Sequence, residues 1–457
     1  MSNSAQDLSQ KEVLKHINFL LSNDEEAYVR VLLAELHEAD IADMIERLEP
    51  ENRGKILTLL HAQTASEVLT ELDEGVREDV LESLDSAKIA ELVNEMDSDD
   101  ATDIVSELSE ERVSEVLEQV EDEYSDDIQE LLGYHEESAG GIMAKEYIAV
   151  NQDWTVERAI QEIRDMSEEV EDLYQCYVIN NEGMLEGLVT LKALILADGK
   201  HLIADIMDDG IFPIKSDQDQ EEVARIFERY DLVSAPVVDP EGRLIGRITI
   251  DDIVDVIQEE AEEDLGIFGG TGEEEILEDS IFQIARNRLP YLLIAFFGEV
   301  LSGLIMEAYK LSLEMIVASA FFIPLVMAMG GSTGQQSSII VVRGLATGEI
   351  DPRDIFSRIS RETRTALITG LVIALLIFLV VFVWQSNFPF AVLLSSTLMI
   401  VILNASLFGA VIPFGLQRLN IDPALATGPF VATFNDVIGL LIYFTLLTAS
   451  LPLVTGG

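Results

Sequence analysis

The chain has 457 residues and a formal net charge of −56 at pH 7, which is unevenly distributed along it. Residues 1–267 contain 19 Lys and Arg against 70 Asp and Glu, a net charge of −51, whereas residues 268–457 contain 9 against 14, a net charge of −5. An anionic surface of this size repels nucleic acid, which excludes that class of partner and favours cations. The single cysteine, Cys176, excludes an internal disulfide and fits a reducing compartment.

Near the N-terminus, residues 17–21 form a short apolar run without a basic start, which is not typical of a signal peptide.

The N-terminal part then contains a repeat with a step of 24 residues. The segments ADMIERLEP, SEVLTELDE, AELVNEMDS and SEVLEQVED begin at residues 42, 66, 90 and 114. Each repeat accommodates two short amphipathic helices, and stacked repeats bury the apolar helix faces that a single repeat would leave exposed. We predict an acidic, all-α superhelical N domain at residues 1–136.

From residue 137 onward, short β-branched strands alternate with helices, and this pattern occurs twice. QCYVINNEGMLEGLVTL in the first copy is matched by SAPVVDPEGRLIGRITI in the second, where Pro-Glu-Gly predicts a strand–turn–strand. The duplicated unit resembles a tandem pair of CBS domains, which are regulatory α/β modules that bind ligands in the cleft between the repeats. We place the first CBS domain at residues 137–200 and the second at residues 201–257.

An acidic helix, DDIVDVIQEEAEED at residues 251–264, then leads toward the apolar half. Acids recur along one of its faces, namely Asp252, Asp255, Glu259 and either Glu262 or Glu263. Like charges four residues apart each cost about 0.2–0.5 kcal/mol in an isolated helix, so this face favours bound cations. Oxygen ligands without a His or Cys cluster suit Mg²⁺ or Ca²⁺. We assign residues 258–285 to a connecting helix and linker. The alternative is that the acids are solvated charges adapted to high salt.

The apolar half, residues 286–457, is predicted to be a transmembrane domain with five helices. Residues 365–417 carry no charge and are interrupted by the polar turn WQSNFP, which predicts two spans and a hairpin. Residues 289–306 and 315–331 predict two earlier spans, and the segment after Pro423 predicts the fifth. Arginines cluster before the first span and between the second and third, which places the N-terminus in the cytoplasm.

Two segments rich in Gly, Pro or polar residues interrupt this half, GGSTGQQSS at 330–338 after Pro324, and NIDPALATGPF at 420–430. Irregular backbone at membrane depth is tolerated only where it lines protein or water, and broken helices often mark the path of a substrate. Each segment fits either a helix break at membrane depth or an ordinary helix end at the interface.

Asp436 is the only charged residue between Pro423 and Gly457. An ionised carboxylate at the centre of a spanning helix costs about 2.5–3.5 kcal/mol on insertion scales, so it is expected to face a water-filled path or a cation. The alternative is a structural Asp that is hydrogen-bonded to a neighbouring helix. For Glu299, in the first span, the structural interpretation is favoured.

A superhelix, two CBS repeats, an acidic connecting (plug) helix and five spans, in that order, resemble the MgtE family of magnesium channels over nearly the whole chain. The most specific motifs are GGSTGQQSSIIVVRGLATGEI at 330–350, DPALATGPFVATFNDVIGLLIYF at 422–444 and ESAGGIM at 137–143. The resemblance implies a homodimeric, multi-pass protein of the cell inner (plasma) membrane, in contact with lipid and not an enzyme. It implies a Mg²⁺-selective channel for Mg²⁺ influx that is gated by cytosolic Mg²⁺.

In the family, the fifth-span Asp of both subunits forms the ion site on the twofold axis, which here implies Asp436, with Asn435 and Ser332 beside it. The plug helix closes the pore when Mg²⁺ neutralises the acids around it. The residues that match those regulatory metal-binding acids are Asp99, Asp103, Asp231, Asp252, Asp255, Glu260, Glu263, Asp264 and Asp422.

This chain departs from the family at some of these positions. Ser332 and Gly428 stand where Asn is usual or frequent, close to the implied ion path, so the ranking of divalent cations stays open. The ribose-binding Asp expected after Thr190 is Ala193, although the second repeat keeps Asp252, so nucleotide binding to the CBS domains also stays open. The alternatives are a channel for cobalt, manganese or another divalent cation, and a non-transporting membrane scaffold. An enzyme is disfavoured because no nucleophile–base constellation is apparent.

Overall fold

A computed structural model of the chain describes residues 17–21, 25–34, 36–166, 173–269, 281–346, 350, 352–419, 421 and 423–452. The chain divides into two compact units, Met1–Gln258 and Glu259–Gly457. The first unit contains the N domain and both α/β repeats, and the second contains the apolar helices.

The described part of the N domain is a stack of short helices, as the repeat predicts. Eight successive helices begin at residues 38, 50, 62, 74, 86, 98, 110 and 122, so each 24-residue repeat holds two of them. Ile45, Leu69 and Val93 occupy equivalent positions in successive repeats and are fully buried in one continuous core. The helices are α1 (Glu26–Leu33), α2 (Glu38–Glu46), α3 (Pro50–Leu59), α4 (Ala62–Thr70), α5 (Glu74–Ser83), α6 (Ser86–Val93), α7 (Ser98–Ser106), α8 (Glu110–Leu117) and α9 (Asp122–Leu131).

The two CBS repeats share one topology, in which the first strand pairs parallel with the second and the second pairs antiparallel with the third. Gly183 and Gly242 lie at equivalent hairpin turns with φ of +80° and +89°, a region that favours glycine. The first repeat contains β1 (Ala149–Asn151), α10 (Val156–Asp165), β2 (Gln175–Ile179), β3 (Leu185–Thr190) and α11 (Leu191–Leu196). The second contains β4 (Ile214–Lys215), α12 (Gln220–Tyr230), β5 (Ser234–Val238) and β6 (Leu244–Thr249).

The acidic connecting helix, α13 (Ile250–Gly269), begins directly after β6 and includes all of the predicted stretch. The second CBS domain and the connecting helix therefore share one helix, and the predicted boundary between residues 257 and 258 falls inside it. Part of the predicted linker, residues 270–280, lies outside the described residues.

Five helices of the described chain are long and apolar enough to cross a membrane, which confirms the predicted number. These spans are Ile284–Ala308, Val317–Leu345, Ile355–Gln385, Phe388–Gln417 and Gly428–Ala449. The corresponding helices are α14 (Ile281–Ala308), α16 (Ile323–Ala346), α17 (Ile355–Gln385), α18 (Phe388–Gln417) and α19 (Gly428–Ala449), with the short α15 (Lys310–Met315) after the first.

The two segments in which the sequence predicted a helix break or a helix end fold differently. Helix α16 continues through GGSTGQQSS, so both interpretations of that segment, a break or a helix end, are wrong. Pro324 is the second residue of α16, where the missing amide hydrogen costs nothing. The 420–430 segment is a true interruption, because a 3₁₀ turn, Pro423–Ala426, precedes α19 and Gly428 adopts a φ of +53°.

Candidate functional site

Asp436 lies near the middle of α19 and stands against the glycine-rich face of α16. A β-carbon added to Gly331 would lie 3.5 Å from Asp436 Oδ1, which is an ordinary van der Waals contact, so α16 passes directly beside the carboxylate. Asp436 Oδ1 is buried and has no hydrogen-bond partner among the described residues. The structural interpretation, in which a neighbouring helix donates to the carboxylate, has no support at this oxygen.

Asn435 is almost fully buried, with 2% of its surface exposed, between α19 and α16. Its amide occupies the space above Gly334, where any β-carbon would collide with Nδ2. Neither amide atom has a hydrogen-bond partner in the described part of the chain. Asn435 therefore faces the helix interface. Ser332, the other residue predicted beside the ion, is exposed on α16.

Glu299 of α14 is a second acid near Asp436, which the sequence favoured as structural. Its side chain is exposed and interacts electrostatically with Asp436. The neighbouring Gly298 brings α14 close to α19, because a β-carbon there would collide with Thr433. Two carboxylates in an apolar domain repel each other, and a divalent cation between them relieves that repulsion.

A second acidic group lies in the first unit, where α7 meets the first turn of α13. Burial, reinforced by the charges of Asp252 and Asp100, raises the pKa of Asp99 well above its usual value. Burial and the nearby Asp252 and Asp103 raise the pKa of Asp100 to about 8. Burial raises the pKa of Asp252 to about 6, although the Thr249 amide and hydroxyl donate to its carboxylate over 2.9 and 2.7 Å.

Other polar contacts surround this acidic group. Arg247 Nη2 lies 3.4 Å from Asp97 Oδ2 and offsets part of the negative charge. Glu146 accepts hydrogen bonds from the Ser98 amide and hydroxyl, over 3.1 and 2.8 Å, and so joins α7 to the segment that leads into the first CBS repeat. The interface between the N domain and the CBS pair thus holds more carboxylates than neighbouring cationic groups.

The structure brings together only part of the predicted regulatory set. Asp99 and Asp252 are neighbours, Asp103 adds to the potential at Asp100, and Asp100 itself was missed although it follows Asp99 directly. Asp231 lies at the C-cap of α12, with a φ of +51°, and its metal-binding role stays a prediction. The remaining predicted acids are Asp255, exposed on α13; Glu260 and Glu263, in the part of α13 that belongs to the second unit; Asp264, whose side chain is outside the described residues; and Asp422, which is wholly outside them.

Within the described residues, no three Asp, Glu, His or Cys side chains are arranged to hold a metal ion directly. The acids of α7 and α13 are close enough to repel one another without forming a closed ligand cage. Mg²⁺ suits such an arrangement, because it dehydrates reluctantly and often binds through its water molecules.

The raised pKa values predict a pH-dependent stability. Without divalent cations, we expect the unfolding midpoint of the full chain to fall as pH rises from 3.8, the usual pKa of Asp, through about 8, the folded-state pKa of Asp100. The sign follows because the folded state binds more protons than the unfolded state over this range. Differential scanning calorimetry in detergent with a chelator measures the slope.

Two comparisons check this pH dependence. Saturating Mg²⁺ is expected to flatten the slope, since the cation takes the place of the proton, and Asp100→Asn is expected to reduce it. An equal slope in the wild type and in Asp100→Asn would mean that the titrating groups lie elsewhere.

The close approach of α16 and α18 predicts a large cost for a small substitution. Gly409→Ala would push a methyl group into the backbone of Gly334, so the helices must separate. We expect a loss of about 1–3 kcal/mol, typical of overpacking, measured as a lower unfolding midpoint in detergent. Gly415→Ala on the same helix is the control, because its β-carbon meets no heavy atom within 4 Å. Equal midpoints for the two variants would contradict the close contact.

Family models match most of the chain. Residues 323–446 match the model of a divalent cation transporter, MgtE; residues 36–137 match the MgtE intracellular N domain; and residues 139–200 and 203–259 match CBS domains. The succession of these matches follows the order of the domains in the structure.

Curated relatives and solved structures agree with these matches. A magnesium transporter MgtE of Bacillus subtilis is 37% identical over 71% of this chain and 72% of its own length. One of Thermus thermophilus is 36% identical over 70% and 71%. The cytosolic domain of an Mg²⁺ channel MgtE in complex with ATP superposes with a TM-score of 0.50 and 33% identity, covering 52% of this chain and 98% of that one. The soluble part of a magnesium transporter gives a TM-score of 0.50 and 29% identity, covering 55% and 99%.

Proposed function

Because the chain belongs to the MgtE family of divalent cation transporters, we propose that it is a Mg²⁺-selective channel that admits Mg²⁺ and is closed by cytosolic Mg²⁺. The observation that carries the proposal is Asp436, a carboxylate in the middle of a spanning helix with one buried oxygen that has no hydrogen-bond partner among the described residues. Mg²⁺ is the transported substrate, and the protein performs no covalent chemistry on it.

In the proposed pore, two subunits bring their Asp436 carboxylates together across a twofold axis. The ion keeps its waters, because Mg²⁺ dehydrates reluctantly, and the carboxylates accept hydrogen bonds from those waters. Paired negative charge favours divalent over monovalent cations. Glu299 adds negative charge near Asp436 and helps to attract the cation.

The proposed gate uses the acids where α7 meets α13. At low cytosolic Mg²⁺, repulsion among Asp99, Asp100 and Asp252 disfavours their close packing. Bound Mg²⁺ offsets the repulsion and stabilises the packed arrangement, which we assign to the closed channel. In this proposal the protein lies in the plasma membrane with its acidic half in the cytoplasm, so that the acids respond to the cytosolic Mg²⁺ concentration. The arginines around the first three spans support this orientation.

ATP is bound by one solved relative, but the proposed gate does not depend on it. In the first repeat of this chain Ala193 replaces the expected acid, and its amide donates to Thr190 Oγ1 over 3.2 Å. In the second repeat the carboxylate of Asp252 is already bound by Thr249. A nucleotide bound at the second repeat would need the Asp252 carboxylate, which in the proposed gate belongs to the cation-binding acidic group.

The test is ion flux through purified protein in liposomes that contain a Mg²⁺-sensitive dye. Mg²⁺ uptake that is suppressed by raising Mg²⁺ on the side of the acidic domains would support both the pore and the gate. Preference for Co²⁺ or Mn²⁺ over Mg²⁺ in competition would favour the other divalent-cation channel. Folded protein without flux of any divalent cation at low internal Mg²⁺ would favour the scaffold.

A further inference from the structure

Glu362 is a buried acid in the membrane unit that the proposed pore does not use. It lies two turns into α17 and is 6% exposed. A carboxylate removed from water is costly unless it is paired and hydrogen-bonded. Both of its oxygens have partners, because Arg358 Nη2 lies 2.8 Å from Oε1 and Ser337 Oγ donates to Oε2 over 3.1 Å.

Ser337 extends this contact from α17 to two other helices. It is part of α16, and its hydroxyl lies 2.9 Å from the hydroxyl of Ser406 on α18. One turn from each serine, Gly334 and Gly409 bring the backbones of α16 and α18 into direct contact. Glu362 therefore accepts its hydrogen bond one turn from the backbone contact between α16 and α18, and this bond restricts the rotation of α16 about its axis.

The same part of α16 also contacts the candidate ion site. Gly334, one turn from Ser337, accommodates the amide of Asn435, and Gly331, one turn further, stands against Asp436. Residues of one helix rotate together, so a rotation of α16 at Ser337 would move both glycines relative to α19. A shift of that kind changes the wall beside the Asp436 carboxylate without any contact between Glu362 and the ion.

We propose that Glu362 is a positioning residue for the ion site, which acts through Ser337 and α16 to set the placement of the Asp436 carboxylate. This inference rests on the proposed function, since it assigns Asp436 to the ion. It also accounts for a feature of the polar GGSTGQQSS run: its glycines face α19 and α18, and Ser337 faces Glu362. The competing explanation is that the Glu362–Arg358 pair supports folding alone.

The test compares Ser337→Ala and Glu362→Gln in the full-length protein in liposomes, with the ratio of Mg²⁺ flux to Ca²⁺ flux as the readout. Ser337→Ala removes the hydroxyl but keeps the Glu362–Arg358 ion pair, so it separates positioning from loss of charge. Both variants are expected to change the ratio in the same direction by about three- to tenfold, which lies within the range of about two- to thirtyfold found for residues coupled to a site at a distance. Ser357→Ala and Glu314→Gln, at exposed positions of the same unit, are the matched controls.

Each outcome decides between the explanations. An unchanged ratio in folded Ser337→Ala, together with a lowered unfolding midpoint, would leave Glu362 a purely structural role and overturn the inference. If Glu362→Gln does not fold, Ser337→Ala decides alone. If the wild type shows no flux, the proposed function fails. The readout is then the rise in the unfolding midpoint when Mg²⁺ is added, taken as the part of that rise that Asp436→Asn abolishes. Ser337→Ala must reduce that rise for the inference to hold.

Discussion

Asp436→Asn is expected to reduce Mg²⁺ flux to the level of protein-free liposomes. The amide has the size of the carboxylate but lacks its charge. In the proposed dimeric pore, two facing amides therefore do not offset the cost of bringing a hydrated divalent cation to the middle of the membrane. A single charged group at the bilayer centre already costs about 2.5–3.5 kcal/mol on insertion scales, and a hundredfold loss of flux corresponds to about 2.7 kcal/mol.

The measurement is initial Mg²⁺ uptake into liposomes at low internal Mg²⁺, normalised to the amount of folded protein. Glu314→Gln is the control, because Glu314 is an exposed carboxylate of the same unit, 3.9 Å from Lys310. Its flux is expected to equal that of the wild type. Persistent flux in Asp436→Asn would move the ion site to another part of the membrane unit, and Glu299 would then be the first residue to test.

Replacing Asp99 and Asp252 together by Asn is expected to remove most of the response to cytosolic Mg²⁺. Two unit charges 4 Å apart repel by about 4 kcal/mol at an effective dielectric constant of 20, and the amides abolish both this repulsion and the attraction for Mg²⁺. The concentration of internal Mg²⁺ that halves the flux is expected to change by about tenfold or more, or to become unmeasurable, as expected for a loss of at least about 1.4 kcal/mol of coupling.

The flux assay with internal Mg²⁺ varied gives this concentration directly. A double variant of exposed acids, Asp126→Asn with Asp217→Asn, removes the same formal charge from the first unit outside the acidic group. Its response is expected to match the wild type. If both double variants shift the response equally, the effect arises from total charge, and the specific role of the acids at α7 and α13 is wrong.

The architecture could be predicted from the sequence wherever a pattern repeats or a segment is long. The 24-residue step specifies two helices per repeat, because apolar residues such as Ile45, Leu69 and Val93 must face one core. The duplicated strand–turn–strand and the five apolar stretches are equally local signals. They depend on the spacing of residue types along the chain, which is fully visible in the sequence.

The packing of α16 could not be predicted in this way. Glycine and proline are poor residues for a helix interior, so GGSTGQQSS indicated an interruption or an end. In the structure the glycines lie inside a continuous helix, because Gly334 accommodates Asn435 and contacts the backbone at Gly409. That explanation depends on residues about 75 to 100 positions away in the chain, which no local pattern reveals.

The candidate sites, too, could be predicted from the sequence only in part. The position of Asp436 in an apolar segment was enough to make it a candidate ion-binding residue. The approach of Glu299, the burial of Asn435 and the contribution of Asp100 depend on which side of a helix faces which neighbour. The left-handed C-cap position of Asp231 on α12 was likewise not apparent from the sequence, and its regulatory role stays a prediction.

The even spacing of helices in the N domain has a mechanical consequence. Helices of the stack contact mainly those one and two places along, so the domain has no single hinge. A solenoid of this type bends by small adjustments that are shared among all its interfaces, in the manner of an elastic rod. If the acids of α7 bind cations as proposed, strain created there when the cations leave would therefore spread over several repeats, and the domain would bend progressively with the loss of each bound charge.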